Sequence, residues 1–130
     1  MHTHEEAVVR AFIAPHYRAR WLEALASAKR RRLFLDRLNH CRDLDGRYAK
    51  PLPTGSDVVG LLRSLGAPKD CYLLSDVANI DGRELPLAEA VRGTELGGFG
   101  TIVSCVPGCL AYYSDESGTR RRLLLVRPPS

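Results

Sequence analysis

In SCVPGCLAYY (residues 104–113), Cys105 and Cys109 stand on either side of Pro107-Gly108. Two thiols at that spacing can hold a metal or form a redox pair only if both side chains lie on one face of the chain. If Pro107 and Gly108 alone form a hairpin turn, Cys105 pairs with Leu110 and Cys109 with Val106. Strand alternation then sends the thiols to opposite faces. A three-residue turn over 106–108 would instead set Cys105 across from Cys109. In either case zinc needs two more ligands, and the chain has no CxxC or HxxxH motif to supply them. The expectation is a turn, with no metal and no cofactor.

Other candidates are weaker as chemistry. His40 and Cys41 are adjacent, but neighbours on a helix point in different directions, and a thiolate–imidazole pair needs hydrogen-bond reach. His16 fits the first turn of a helix, and His2 and His4 lie at a terminus expected to be loose. No catalytic residue is assigned. The acids Asp76, Asp81, Glu84 and Glu89 form the one carboxylate cluster. Asp81-Gly82 is a common turn, and an acid just before a helix favours its N-terminus. With Arg83 to hold an anion and Asp76 or Glu84 as acid or base, this loop and the glycine-rich loop at 97–100 make an alternative ligand site. The glycines (Gly97, Gly98, Gly100) run from helix into strand, the reverse of a phosphate-binding loop, and no GK[ST] follows.

Charge is distributed unevenly. Residues 1–50 carry eleven Lys/Arg against six Asp/Glu, whereas residues 51–130 carry eight against nine. Arg18, Lys29, Arg30, Arg31, Arg32 and Arg37 are the candidate contacts for an anionic partner, an acidic protein face or a nucleic acid. Lys29, Arg30, Arg31 and Arg32 occupy a full helical turn, so they cannot all face one way. Aromatic residues placed to stack bases do not accompany them.

These residues must be positioned by a chain whose composition changes near Asp45. HEEAVVRAFI reads as a short amphipathic helix with Val8, Val9, Phe12 and Ile13 at helical spacing. Pro15 ends it or opens the next. Two helices follow, one carrying Trp21, Leu22 and Leu25, the other Leu33, Phe34 and Leu38 on a shared apolar face, with Ser27 as N-cap of the second. Asp45-Gly46 is a turn, and Pro51 and Pro53 enforce an extended crossing. TGSDVVGLLRSLGAP is a helix capped by Ser56, with Gly66 at the left-handed position beyond its end. Then come a strand at 71–75, a turn at Asp81-Gly82, a short helix with Pro86 in its first turn, and strands GTIVSCV, CLAYYS and RRRLLLV. The tail at 127–130 is expected to fray.

The segments YRARWLEALASAKRRRLFLDRLNHCRDLDGRY, CYLLSD, DGRELPLAEAV and GTIVSCVPG together resemble a group of small uncharacterised bacterial proteins. That resemblance implies a stand-alone fold and carries no activity and no catalytic residue.

The reading is one α+β domain over residues 1–130, with a basic helical region (1–50) and a helix-and-sheet region (51–130). An N-terminal helical hairpin and a third helix pack on a small, mainly antiparallel sheet of about four strands. No apolar run reaches the roughly 18 residues of a membrane span, and MHTHEEAVVR lacks the apolar core of a secretory signal, so a cytoplasmic protein is expected. The expected function is non-enzymatic binding, with the basic helical face docked on an acidic partner. A small enzyme or ligand-binding domain at the Asp76–Glu84 and glycine-rich loops is the alternative. A homodimer through the C-terminal strand as an open edge is a further expectation.

Overall fold

The computed structural model describes residues 2–126; the 127–130 tail, expected to fray, lies outside them. Helix α1 (Thr3–Phe12) starts at His2, whose side chain accepts the His4 backbone N–H at 3.1 Å. His2 and His4 are therefore parts of an ordered helix start, not of a loose end. Pro15 is the first residue of α2 (Pro15–Leu25), where its missing N–H costs nothing. Ser27 accepts from Arg30 N–H and opens α3 (Ala28–Phe34), which tightens into a 3₁₀ stretch, Leu35–His40. The expected helical hairpin is thus α2–α3. Its second apolar group is divided, however: Leu38 is buried and Phe34 half-buried, while Leu33 points outward and Leu35, outside the expected group, is buried in its place.

Among the described residues six strands form one sheet: β1 (Ala49–Pro51), β2 (Asp70–Ser75), β3 (Glu84–Pro86), β4 (Thr101–Val106), β5 (Leu110–Ser114) and β6 (Arg121–Leu125). Their order is β1-β6-β5-β4-β2-β3, with every neighbouring pair antiparallel. The four expected strands are β2, β4, β5 and β6. The added edges β1 and β3 are three residues each, too short to show a strand period. Because β1 covers β6, the C-terminal strand is internal rather than the open edge expected of it. Each true edge carries a proline, Pro51 or Pro86, which removes a ladder donor and discourages pairing with another chain.

Alternation along the strands feeds two cores. Leu74, Ile102, Tyr113 and Leu124 meet Val8, Val9, Phe12, Trp21 and Leu38 on one face. On the other, Leu73, Val103, Tyr112 and Leu123 meet Val58 and Leu62 of α4 (Val58–Ser64) and Ala90 and Val91 of α5 (Leu87–Leu96). The result is three layers, helix–sheet–helix, which is why consecutive residues of the central strands are all buried. The cap of α4 is Asp57, accepting from Gly60 N–H at 3.0 Å; the expected cap, Ser56, donates instead to the Pro53 carbonyl. Gly66 adopts φ +103° beyond the helix end, as its position predicts. Pro86 closes β3 and stands just before α5 rather than inside its first turn.

The Cys105–Cys109 hairpin takes neither of the two expected registers. Ser104 pairs with Ala111 but Val106 pairs with Leu110, so Cys105 is bulged and the turn is Pro107, Gly108 and Cys109. Gly108 at φ +72° permits the turn, and Cys109 N–H closes it on the Val106 carbonyl. Cys105 is buried and Cys109 exposed, so these two thiols form no common site. Among the described residues, no helix is long and apolar enough to cross a membrane.

Candidate functional site

The two sets of charged residues singled out in the sequence meet each other. Arg31 leaves α3 toward the β2–β3 loop and binds Asp81 at two points, Nε–Oδ2 2.8 Å and Nη2–Oδ1 2.9 Å. Its remaining amine donates to Glu5 Oε1 at 2.6 Å. Asp81 also accepts the Ser75 backbone N–H, so both of its oxygens are occupied. Arg32, more exposed, donates to the Asp76 backbone carbonyl and approaches its carboxylate at 3.5 Å. Asn39 then bridges the two loops of the alternative site, giving its amide N–H to Asp76 Oδ2 and accepting Gly100 N–H. Asp76 N–H in turn donates to the Gly100 carbonyl.

The Asp76–Glu84 loop and the glycine-rich loop are therefore neighbours, bridged by Asn39, while Arg31 and Arg32 occupy the acids of the first loop. Gly100 is required there: a Cβ would collide with the backbone carbonyl of Leu38. Arg83 and Glu84 stand apart from this network. Arg83 is exposed and reaches only the Asn79 carbonyl, at 3.4 Å. Glu84 is on β3 rather than at a helix start, opposite Tyr72.

Next to Arg31 lies a second polar group that the sequence reading did not assemble. The Tyr72 hydroxyl donates to Glu5 Oε2. The His2 ring stacks on Tyr72 at 4.1 Å and the His4 ring at 5.4 Å. His4 Nδ1 is 2.7 Å from Ser104 Oγ. Burial, then the nearby His2, lower the basicity of His4, against a smaller opposing pull from Glu84. Burial and the Glu5 carboxylate raise the Tyr72 phenol above its ordinary value. Ser104 itself is buried, so a substrate has no path to its hydroxyl. One signal for this group was present: Glu5 sits one turn before Val8 and Val9 on the apolar stripe of α1, where an acid calls for a buried partner.

The rest of the basic set is distributed around the first three helices. Arg37 holds the buried Asp43 with two hydrogen bonds of 2.8 Å, and Trp21 Nε1 donates to the same carboxylate. Arg18 donates to the Ile13 carbonyl and lies 4.0 Å from Asp45. Arg30 pairs with Glu23 at the surface. Lys29 is exposed, and no carboxylate among the described residues lies within 4.0 Å of it. The six residues thus do not converge on one open anion site, because four of them, Arg18, Arg31, Arg32 and Arg37, are spent on buried or half-buried internal partners.

Between α2 and α3 the surface opens into a groove of about 360 Å³, lined by Arg20, Glu23, Ala24, Arg30, Leu33 and Phe34. Its walls are mainly carbon. Leu33 is 74% exposed at its lip, and Phe34 rests edge-on against the buried Trp21 ring. This groove lies in the crease of the helical hairpin, whose joint is residues 26–27; Leu35 and Leu38 turn inward and Leu33 stays outside. Comparisons with family models, with curated proteins and with solved structures return no match to this chain.

Proposed function

We propose that the protein is a binding module whose α2–α3 groove receives an acidic segment of a partner protein through one apolar anchor side chain. The observation that carries this reading is Leu33, a large aliphatic residue 74% exposed beside the carbon-lined groove, in the middle of the most basic stretch of the chain. An apolar anchor seated there would gain roughly 1.5–3 kcal/mol from burial, enough for about a tenfold to hundredfold effect on affinity. Arg20 and Lys29, with no carboxylate within 4.0 Å among the described residues, would steer an acidic segment toward the groove and set its orientation.

A nucleic acid is the weaker partner for the same face. Phosphate docking uses several free cations and no apolar wall, whereas Arg18, Arg31 and Arg37 already hold internal oxygens. The small-ligand alternative is weaker still, since Asp81 has no free oxygen and side chains occupy the meeting point of its two loops.

The test is an amide-shift titration with a panel of short peptides carrying one Leu or Phe flanked by glutamates, matched against lysine-flanked versions and a single-stranded RNA oligonucleotide. Saturable shifts at Ala24, Leu33 and Phe34 with the acidic peptides alone support the proposal, and Leu33→Ser should abolish them. Steeply salt-dependent shifts with RNA and none with any peptide would replace it by nucleic-acid docking.

A further inference from the structure

The partner of Cys105 is not Cys109 but Cys71. Strands β2 and β4 pair Leu74 with Ile102, Leu73 with Val103 and Tyr72 with Ser104. The ladder ends there, at the bulge, and just beyond it Cys71 and Cys105 come together with their thiols in contact. The side toward which each backbone group points decides how close the two are. Leu73 N–H donates to Arg83 O and its carbonyl accepts Gly82 N–H, both on the β3 side, and Lys69 O likewise accepts Leu87 N–H there. Alternation puts the N–H and C=O of Cys71 on that same side. Asp76 N–H, in contrast, turns to Gly100, the residue just before β4. Cys71 and Cys105 thus face each other without mutual backbone hydrogen bonds; in a regular ladder, opposed residues of this kind have Cα atoms about 4.5 Å apart. That separation falls inside the range a disulfide spans. Both side chains point to the α4–α5 face, both are buried, and both are free thiols.

We propose that Cys71 and Cys105 are a hydrogen-peroxide-sensitive thiol pair that closes into a cross-strand disulfide. This stands independently of the groove on the opposite face. The chemistry balances with a peroxide as two-electron oxidant. The Cys71 thiolate attacks one peroxide oxygen, forming S–O and breaking O–O, and the leaving hydroxide takes up a proton to become water. Cys105 sulfur then attacks the sulfenic sulfur, forming S–S and breaking S–O. The second water leaves with the Cys105 proton. The thiols lose two electrons and two hydrogens; the peroxide becomes two waters.

The order of attack follows from the contact between the thiols. The neighbouring Cys105 thiol holds the Cys71 thiol below its ordinary value, while Cys71, then burial, pushes Cys105 upward. Cys71 is also the one nearer an edge: it faces Leu85 of β3, a three-residue strand ending in Pro86. Opening of that short edge uncovers Cys71 before the central strands part. Cys41, whose thiol burial pushes up to about 11, serves as an internal control that stays reduced.

The experiment uses the full chain with the exposed Cys109 replaced (Cys109→Ser), treated with hydrogen peroxide, then unfolded, alkylated and mapped without reduction. The expected result is loss of two hydrogen masses, one alkylatable thiol remaining at Cys41, and a linked peptide pair containing Cys71 and Cys105. Cys71→Ala should remove the link while Cys41 remains alkylatable. Added oxygen with no linked peptide, full alkylation of all three thiols, or a link involving Cys41 would each overturn the proposal. Peptide mapping of the Cys109→Ser protein decides the question even if Cys71→Ala fails to fold.

Discussion

Arg31 and Asp81, fifty positions apart in the chain, meet in a two-point ion pair with both Nε–Oδ2 and Nη2–Oδ1 below 3 Å. The pair ties the helical layer to the loop joining β2 and β3, and Glu5 adds α1 to the same guanidinium. Three elements that no local signal connects are thus clamped by one side chain that is largely out of water.

Removing that side chain leaves the Glu5 carboxylate without a cation and Asp81 with only the looser Arg32 at 4.0 Å. Arg31→Ala is expected to cost about 3–5 kcal/mol, the loss typical of breaking a buried pair. Arg31→Lys should recover only part, since an ammonium cannot reproduce the fork. Arg30→Ala, one residue away but paired with Glu23 in solvent, should stay within about 1 kcal/mol. Urea unfolding of the three variants checks the order; equal losses for Arg30→Ala and Arg31→Ala would refute it.

Tyr113 crosses from β5 to the 3₁₀ stretch, donating to the Leu38 carbonyl at 2.6 Å and accepting Cys41 N–H at 3.1 Å. Tyr113→Phe keeps the ring and strands both backbone groups. The expected loss is about 1–3 kcal/mol, read from the shift in unfolding midpoint.

Gly100 lies against the Leu38 backbone with no room for a side chain. Gly100→Ala should therefore destabilise by about 1–3 kcal/mol through forced displacement of the 3₁₀ stretch. Gly93→Ala, in the open interior of α5, should instead be neutral or stabilising, by up to about 1 kcal/mol. Parallel thermal melts distinguish the two.

His4 makes stability depend on pH with a definite sign. Its folded-state value lies below 6.5, so between that value and 6.5 the unfolded chain binds the extra proton. Stability contributed by neutral His4 is complete above pH 6.5 and falls as the pH drops below it, until the folded histidine also titrates. His4→Gln should flatten this part of the profile. An unchanged slope in urea midpoints through that window would exclude His4 as its source.

Leu33 is exposed and its loss should not weaken the fold. Leu33→Ser is expected to leave the unfolding midpoint within about 0.5 kcal/mol of the parent while ending peptide binding at the groove. A large loss of stability would mean that Leu33 is a core residue.

Local order and periodicity in the sequence determine the helices, the four long strands, the turn at Pro107-Gly108 and the α+β class. Each of these rests on contacts within a few residues or on a repeating apolar pattern, as with Ser27 at the start of α3 and Gly66 beyond α4. Tertiary structure alone decided the rest. The edge strands β1 and β3 exist because a longer neighbour offers them donors and acceptors, not because three residues prefer extension. The bulge at Cys105 shifted the turn by one residue, and the β2–β4 register gave Cys105 a partner thirty-four positions earlier instead of four later. Charge counts could not reveal that Arg31 and Arg37 would be spent internally, because attraction between charges depends on separation in space and says nothing of separation in sequence. For the same reason Leu33 and Leu35, two aliphatic residues of one short segment, end one exposed and one buried: the packing of the 3₁₀ stretch against β4, rather than their own chemistry, chose which one to bury.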